Sequence, residues 1–180
     1  FAKYINVNHA VTLNSCTSAI QLALEAHNIT KEVILPSFTF IASANAIIKA
    51  GATPVFVDVD YDTCNIDPSK IKEVITENTQ AILPVHFAGQ MCKMKEILEI
   101  TEEHNLKLIE DSAETIGGTY NNKQAGSFGE GCFSFFPTKN ITTGEGGMFT
   151  TNNEEIAEKV KALSAHGISK HTLEREKQDK

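Results

Sequence analysis

Lys139 closes the run Gly131-Cys132-Phe133-Ser134-Phe135-Phe136-Pro137-Thr138-Lys139, an aromatic strand pattern that enters the polar, glycine-rich loop NITTGEGG. A lone lysine is ordinarily a solvated surface residue. Held against an apolar wall, it sheds its proton more readily and becomes a nucleophile. Asp111 follows the apolar run LKLI, in Ile109-Glu110-Asp111-Ser112-Ala113-Glu114. A carboxylate there is suited to ligate a metal, to act as a general base, or to pair with a protonated ring nitrogen. Asp followed three residues later by Glu equally resembles a helix capping box. Ser15-Cys16-Thr17-Ser18 stands between an apolar run and a helical pattern, where N–H groups and hydroxyls either receive a phosphate or simply cap the helix.

The elements that must position these residues alternate between two periods. Apolar runs at 10–13, 33–35, 54–59, 80–85, 106–109, 132–136 and 147–151 predict strands. Helical patterns at 18–27, 40–50, 93–104 and 153–165 lie between or after them, with Gly51 closing one and Asp67-Pro68-Ser69 opening another. Near-continuous apolar strands separated by helices predict a three-layer α/β/α fold around a mainly parallel sheet. In such sheets ligands bind beyond the carboxyl ends of the strands, which is where Lys139, Asp111 and Ser15–Ser18 fall.

Other chemistries are disfavoured. The 180 residues carry a formal charge of −7, so there is no basic footprint for nucleic acid or an anionic membrane. Glu-Arg-Glu-Lys near the carboxyl end reads as a solvated helix face. Four scattered cysteines without a CxxC pair predict neither disulfides nor a zinc site and fit a reducing cytoplasm. No run is long and apolar enough for a membrane span, and the six histidines lack metal-ligand spacing. No GxxxxGK[ST] or helix-opening GxGxxG is present, and the glycines at 126–131 lead into a strand and read as a turn. His86 reads more readily as satisfied at the sheet edge than as reaching a pocket, and His166-Gly167 as a helix cap. Both ends of the chain read as cut.

In order along the chain, SCTSAIQLAL, VILPSFTFIASANAII, AGATPVFVDVD, NIDPSKI, AILPVHFAGQ, LIEDSAETIGGTYNNKQAGSFGEGCFSFFPTKNITTGEGGMFTT and LSAHG resemble the DegT/DnrJ/StrS family of pyridoxal-phosphate (PLP)-dependent sugar aminotransferases. The resemblance implies the large domain of a fold-type I PLP enzyme over residues 1–180, without the N-terminal arm and C-terminal small domain of the family. It implies that Lys139 carries the cofactor as a Schiff base and that Asp111 pairs with the ring nitrogen. By the same token Ser134, Thr17 and Ser18 contact the phosphate, Phe40 lies over the ring, and Glu114 sits near the ring hydroxyl.

The Glu at position 114 resembles the perosamine-synthase branch, whose substrates are nucleotide-linked keto sugars and an amino-acid donor such as glutamate. A cytoplasmic homodimer with shared sites is also implied. Two rival readings are a non-catalytic regulatory protein on this fold and a different PLP reaction, such as the sugar dehydratases in which histidine replaces the lysine. Where the family often has Ser-Gly-Thr, this chain has Ser15-Cys16-Thr17, and a cysteine fits a positive-φ turn less readily than glycine.

Overall fold

A computed structural model describes residues 1–168, and the charged segment after them lies outside the described residues. Seven strands form the central sheet: β1 (His9–Leu13), β2 (Glu32–Pro36), β3 (Thr53–Val57), β4 (Thr79–Ile82), β5 (Lys107–Asp111), β8 (Glu130–Ser134) and β9 (Gly147–Thr151). A two-stranded hairpin of β6 (Thr119–Tyr120) and β7 (Lys123–Gln124) stands apart from it. The helices are α1 (Ala2–Ile5), α2 (Cys16–Ala26), α3 (Ile41–Lys49), α4 (Pro68–Val74), α5 (Met94–Glu103) and α6 (Glu154–Ser164). The sheet order is β1-β9-β8-β5-β4-β2-β3. Every neighbouring pair from β8 to β3 is parallel, and β9 alone runs against its two neighbours.

Alternation along each buried strand divides the core between the two faces of the sheet. Val33, Leu35, Ala81, Leu83 and Ile109 point to one side, where Ala19, Ile20, Ala23 and Leu24 of α2, Ala44 and Ile47 of α3, and Ile156 and Val160 of α6 cover them. Ile34, Ile82 and Leu108 point to the other side, against Ile71 of α4 and Met94, Ile97 and Ile100 of α5. There α1 places Ile5 over Phe133 and Met148. Each fully buried Leu, Ile or Phe contributes roughly 1.5–3 kcal/mol relative to an exposed one, so both layers are firmly attached.

The differences from expectation have local causes. β4 stops at Ile82, not residue 85, because Pro84 brings no N–H to the ladder. No helix starts after Asp111, so the capping box does not form. Asp111 Oδ1 instead accepts the N–H of Ala113, two residues on, at 3.1 Å. The helices end as their sequence predicts. Gly51 takes φ 84° after α3, and Gly167 donates to the Ala162 carbonyl after α6, with His166 and Gly167 both in the left-handed region.

Candidate active site

Five connections leave the carboxyl ends of β1, β2, β4, β5 and β8 at the same edge of the sheet and enclose a cavity of about 700 Å³. Its lining includes Ser15, Cys16 and Thr17, Phe38 to Phe40, Ser43, Phe87, Asp111, Glu114, Ser134 and Lys139. Residues as far apart in sequence as Ser15 and Gly146 therefore share one wall system.

Helix α2 points its N-terminus into this space. Ser15 caps it, its Oγ accepting the Ser18 N–H at 3.1 Å. The first-turn N–H groups of Cys16 and Thr17 have no carbonyl partner within the helix, so they and the positive end of the helix dipole are open to an anion. Cys16 is the first helical residue and not a positive-φ residue, so it fits here without the strain a left-handed turn would impose. The close approach falls instead on Gly147, where a Cβ would stand 2.3 Å from the carbonyl carbon of Ser15. Ser18 faces away from the cavity, into a neighbouring hollow with Leu13 and Gln21, and its Oγ accepts from the Ser15 hydroxyl at 3.1 Å.

Asp111 ends β5 and is 6% exposed. Burial pushes its carboxyl above the usual range, opposed by hydrogen bonds from Ser43, Ala113 and Cys16. Its chain neighbour Glu110 points to the other face of the sheet and is fully buried. Glu110 accepts the N–H groups of Gly126, Phe128 and Gly129 at 2.8–3.0 Å and faces Nε2 of His86 at 3.1 Å. Burial opposes a charge on His86, while its contacts with Cys92 and Glu110 favour one. The Cys92 backbone N–H nevertheless donates to Nδ1, which requires a lone pair there. In this geometry His86 is thus neutral, with Nε2–H donated to Glu110. It serves the sheet edge and is no part of the cavity.

Lys139 sits on the loop 135–146, whose ends are tied by Phe135 N–H to the Gly146 carbonyl at 2.9 Å and Thr143 N–H to the Phe135 carbonyl at 3.0 Å. Its ammonium lies 3.2 Å from Glu114 Oε1. Glu114 Oε2 accepts the N–H of Ala88, in the left-handed turn after β4. Ser134 lines the cavity as β8 ends, its Oγ accepting the Phe136 N–H at 3.3 Å. Phe40 stands 77% exposed at the rim, at the start of α3. Phe38 packs edge-on against Phe87 at 5.0 Å beside it.

The structure brings Thr17, Phe40, Asp111, Glu114, Ser134 and Lys139 together and leaves Ser18 outside. Sequence reasoning passed over Ser43, Phe38, Phe87 and Glu145, which also line the cavity. Ser43 had a usable signal, a hydroxyl in the first turn of a helix that follows a buried strand.

Residues 1–180 match the DegT/DnrJ/EryC1/StrS aminotransferase family. The chain belongs to this family. It is 51% identical over 171 residues to the GDP-perosamine synthase of Caulobacter vibrioides, covering 93% of this chain and 46% of that protein. It is 49% identical over 173 residues to the spore coat polysaccharide biosynthesis protein SpsC of Bacillus subtilis, covering 94% of this chain and 44% of that one. Among solved structures, a GDP-4-keto-6-deoxymannose-3-dehydratase with a trapped PLP-glutamate geminal diamine superposes with a TM-score of 0.87 at 36% identity, covering 93% of this chain and 46% of that chain. The chain thus spans a little under half the length of the curated relatives it matches. The mainly parallel α/β/α sheet is that of the fold-type I PLP enzymes, as expected.

Proposed function

We propose that this chain is the cofactor-binding domain of a PLP-dependent aminotransferase that moves an amino group from glutamate to a nucleotide-linked keto sugar, for amino-sugar and surface-polysaccharide synthesis. The observation that carries this reading is the convergence of Lys139, Asp111 and the free N–H groups of α2 on one cavity. The family's cofactor is PLP, and the donor set fits it. An amine stands ready for covalent attachment, a buried carboxylate for a ring nitrogen, and a helix N-terminus with Thr17 and Ser134 for a phosphate. Bound there, PLP supplies an electron sink for a negative charge developing at the donor's Cα.

The protein's own groups do the rest. The α2 N–H groups and the Thr17 and Ser134 hydroxyls hold the phosphate. Asp111, ionised, keeps a proton on the ring nitrogen. Phe40, at the rim, would stack on one face of the ring and keep water from it. With its amine free, Lys139 would move a proton through Nζ from the donor's Cα to the cofactor carbon, and in the second half-reaction from that carbon to the acceptor. Glu114 is the nearest acceptor for that ammonium.

The perosamine synthase and SpsC relatives support the sugar acceptor and the polysaccharide setting. The glutamate trapped in the dehydratase structure supports the donor. That same neighbour makes dehydration the second reading. Lys139 stands where such enzymes have histidine, which favours transfer.

The site belongs to a homodimer in this reading. Ile41 and Ile48, seven residues apart on one side of α3, are 62% and 58% exposed, and Phe56 on the edge strand β3 is 51% exposed. An apolar surface beside an open cavity suits coverage by a second copy. Four free cysteines suit a cytoplasmic setting, and no helix among the described residues is long and apolar enough to cross a membrane.

The test is the absorbance spectrum of the full-length protein with PLP, before and after glutamate, followed by nucleotide-linked 3-keto and 4-keto sugars. A cofactor band that glutamate shifts and a keto sugar restores is expected. A protein that binds PLP but leaves glutamate unchanged would end the aminotransferase reading.

A further inference from the structure

Asp111 Oδ1 accepts from the Ala113 N–H at 3.1 Å and the Cys16 thiol at 3.6 Å, while Oδ2 accepts from the Ser43 hydroxyl at 2.8 Å. An ionised carboxylate is an acceptor only, with about four lone-pair sites. Three are filled, and the open one is on Oδ2. Ser43 is 1% exposed and its hydroxyl hydrogen is committed to Asp111. Its contact with Thr39 Oγ1 at 2.9 Å therefore has Thr39 as the donor. A one-way relay, Thr39 to Ser43 to Asp111, runs from the cavity rim into its floor. The donor on the opposite side comes from the first turn of α2.

We propose that Cys16 and Ser43 are positioning residues for Asp111, clamping its carboxylate from two helix starts so that a single acceptor site, on Oδ2, faces the ring nitrogen of the cofactor. This deepens the PLP reading and rests on it. Each donor bond draws electron density from the carboxylate, which makes it a weaker base and leaves the proton on the ring nitrogen. Burial raises the Cys16 thiol well above its usual range, so it stays an S–H donor. The cysteine that replaces the family's frequent glycine thus has a task that glycine, with no side chain, cannot perform.

The experiment uses the full-length enzyme loaded with PLP labelled with 15N in the ring, at neutral pH. It measures the ring-nitrogen chemical shift and the cofactor Kd. Ser43→Ala and Cys16→Ala are each expected to move the shift toward the unprotonated pyridine value and to weaken cofactor binding roughly ten-fold. Ser43→Thr and Cys16→Ser, which keep a donor, are expected to stay near wild type. Thr39→Val, at the partly exposed rim, should move the shift the same way by less. Ring-nitrogen shifts equal to wild type in folded Ser43→Ala and Cys16→Ala, or in Thr39→Val should those two not fold, overturn the clamp. Weaker binding with an unmoved nitrogen shift also overturns it, since packing alone would explain that. Failure of the wild-type protein to take up PLP overturns the cofactor reading instead, and the clamp with it.

Discussion

Lys139 Nζ stands 3.2 Å from Glu114 Oε1, and the other oxygen of that carboxylate accepts the Ala88 N–H at 3.0 Å. One side chain thereby ties the loop after β8 to the turn after β4, across the mouth of the cavity. The lysine side chain is 21% exposed and the glutamate 43%. Screening by water keeps such a pair weak, so Glu114→Ala is expected to cost no more than about 1 kcal/mol in urea denaturation. A loss beyond about 3 kcal/mol would show that Glu114 holds the fold and not merely the mouth.

Lys139 itself has no structural load beyond that pair. Lys139→Ala should leave the melting temperature near wild type while removing the cofactor absorbance band and slowing transamination by at least about 10²–10⁴-fold, the range of a lost acid–base group. Undiminished turnover in the variant would remove the lysine from the chemistry.

Asp111 should trade stability for function. Its folded pKa is raised from 3.8 by burial, so between 3.8 and the raised value the folded chain binds more protons than the unfolded one. Stability carried by this group is therefore lost as pH rises through that window, and at neutral pH the buried charge is a cost. Asp111→Asn is expected to melt higher than wild type at neutral pH without cofactor, and to bind PLP more weakly. A lower melting point for the cofactor-free variant across pH 3 to 7 would contradict the burial argument.

Glu110 behaves differently although it is the next residue. It faces the other side of the sheet, with three backbone N–H groups and His86 around it. Glu110→Ala strands all four donors and is expected to destabilise the protein by about 3–5 kcal/mol. Chemical denaturation showing a change under about 1 kcal/mol would mean that water takes over those bonds.

Gly147→Ala tests the close approach to α2. A Cβ 2.3 Å from the Ser15 carbonyl carbon forces the helix start to move, at roughly 1–3 kcal/mol. Because the displaced groups are the N–H donors of Cys16 and Thr17, phosphate-bearing ligands should bind more weakly as well, which isothermal titration with PLP would read.

The alternation of apolar strands and helices was legible because period 2 and period 3.6 are written in single residues such as Val33, Ile34 and Leu35. Short elements were not. α1 is four residues long and β6 and β7 are two each, too brief for any period to show. Lys139 and Asp111 were visible because both follow apolar strands. Which face of β5 each neighbour takes was not visible, so Glu110, the better satisfied carboxylate, passed unnoticed beside Asp111. Ser18 reads as a phosphate residue from its position after Thr17, yet one helical step of 100° turns it out of the cavity. The hydroxyl and thiol on Asp111 come from helices remote in sequence, and no spacing rule joins residues 16, 43 and 111.

β1 pairs with β9 alone, His9 opposite Thr151, so the first strand of the sheet finds its neighbour in the last. Helix α2 begins three residues after β1 ends, so the β1–β9 pairing helps to fix where its N-terminus lies. A chain not yet extended to β9 lacks the only strand that pairs with β1. Such long-range closure is slow and comes late. A cofactor bound at the α2 N-terminus would reward that closure, stabilising the folded state by mass action.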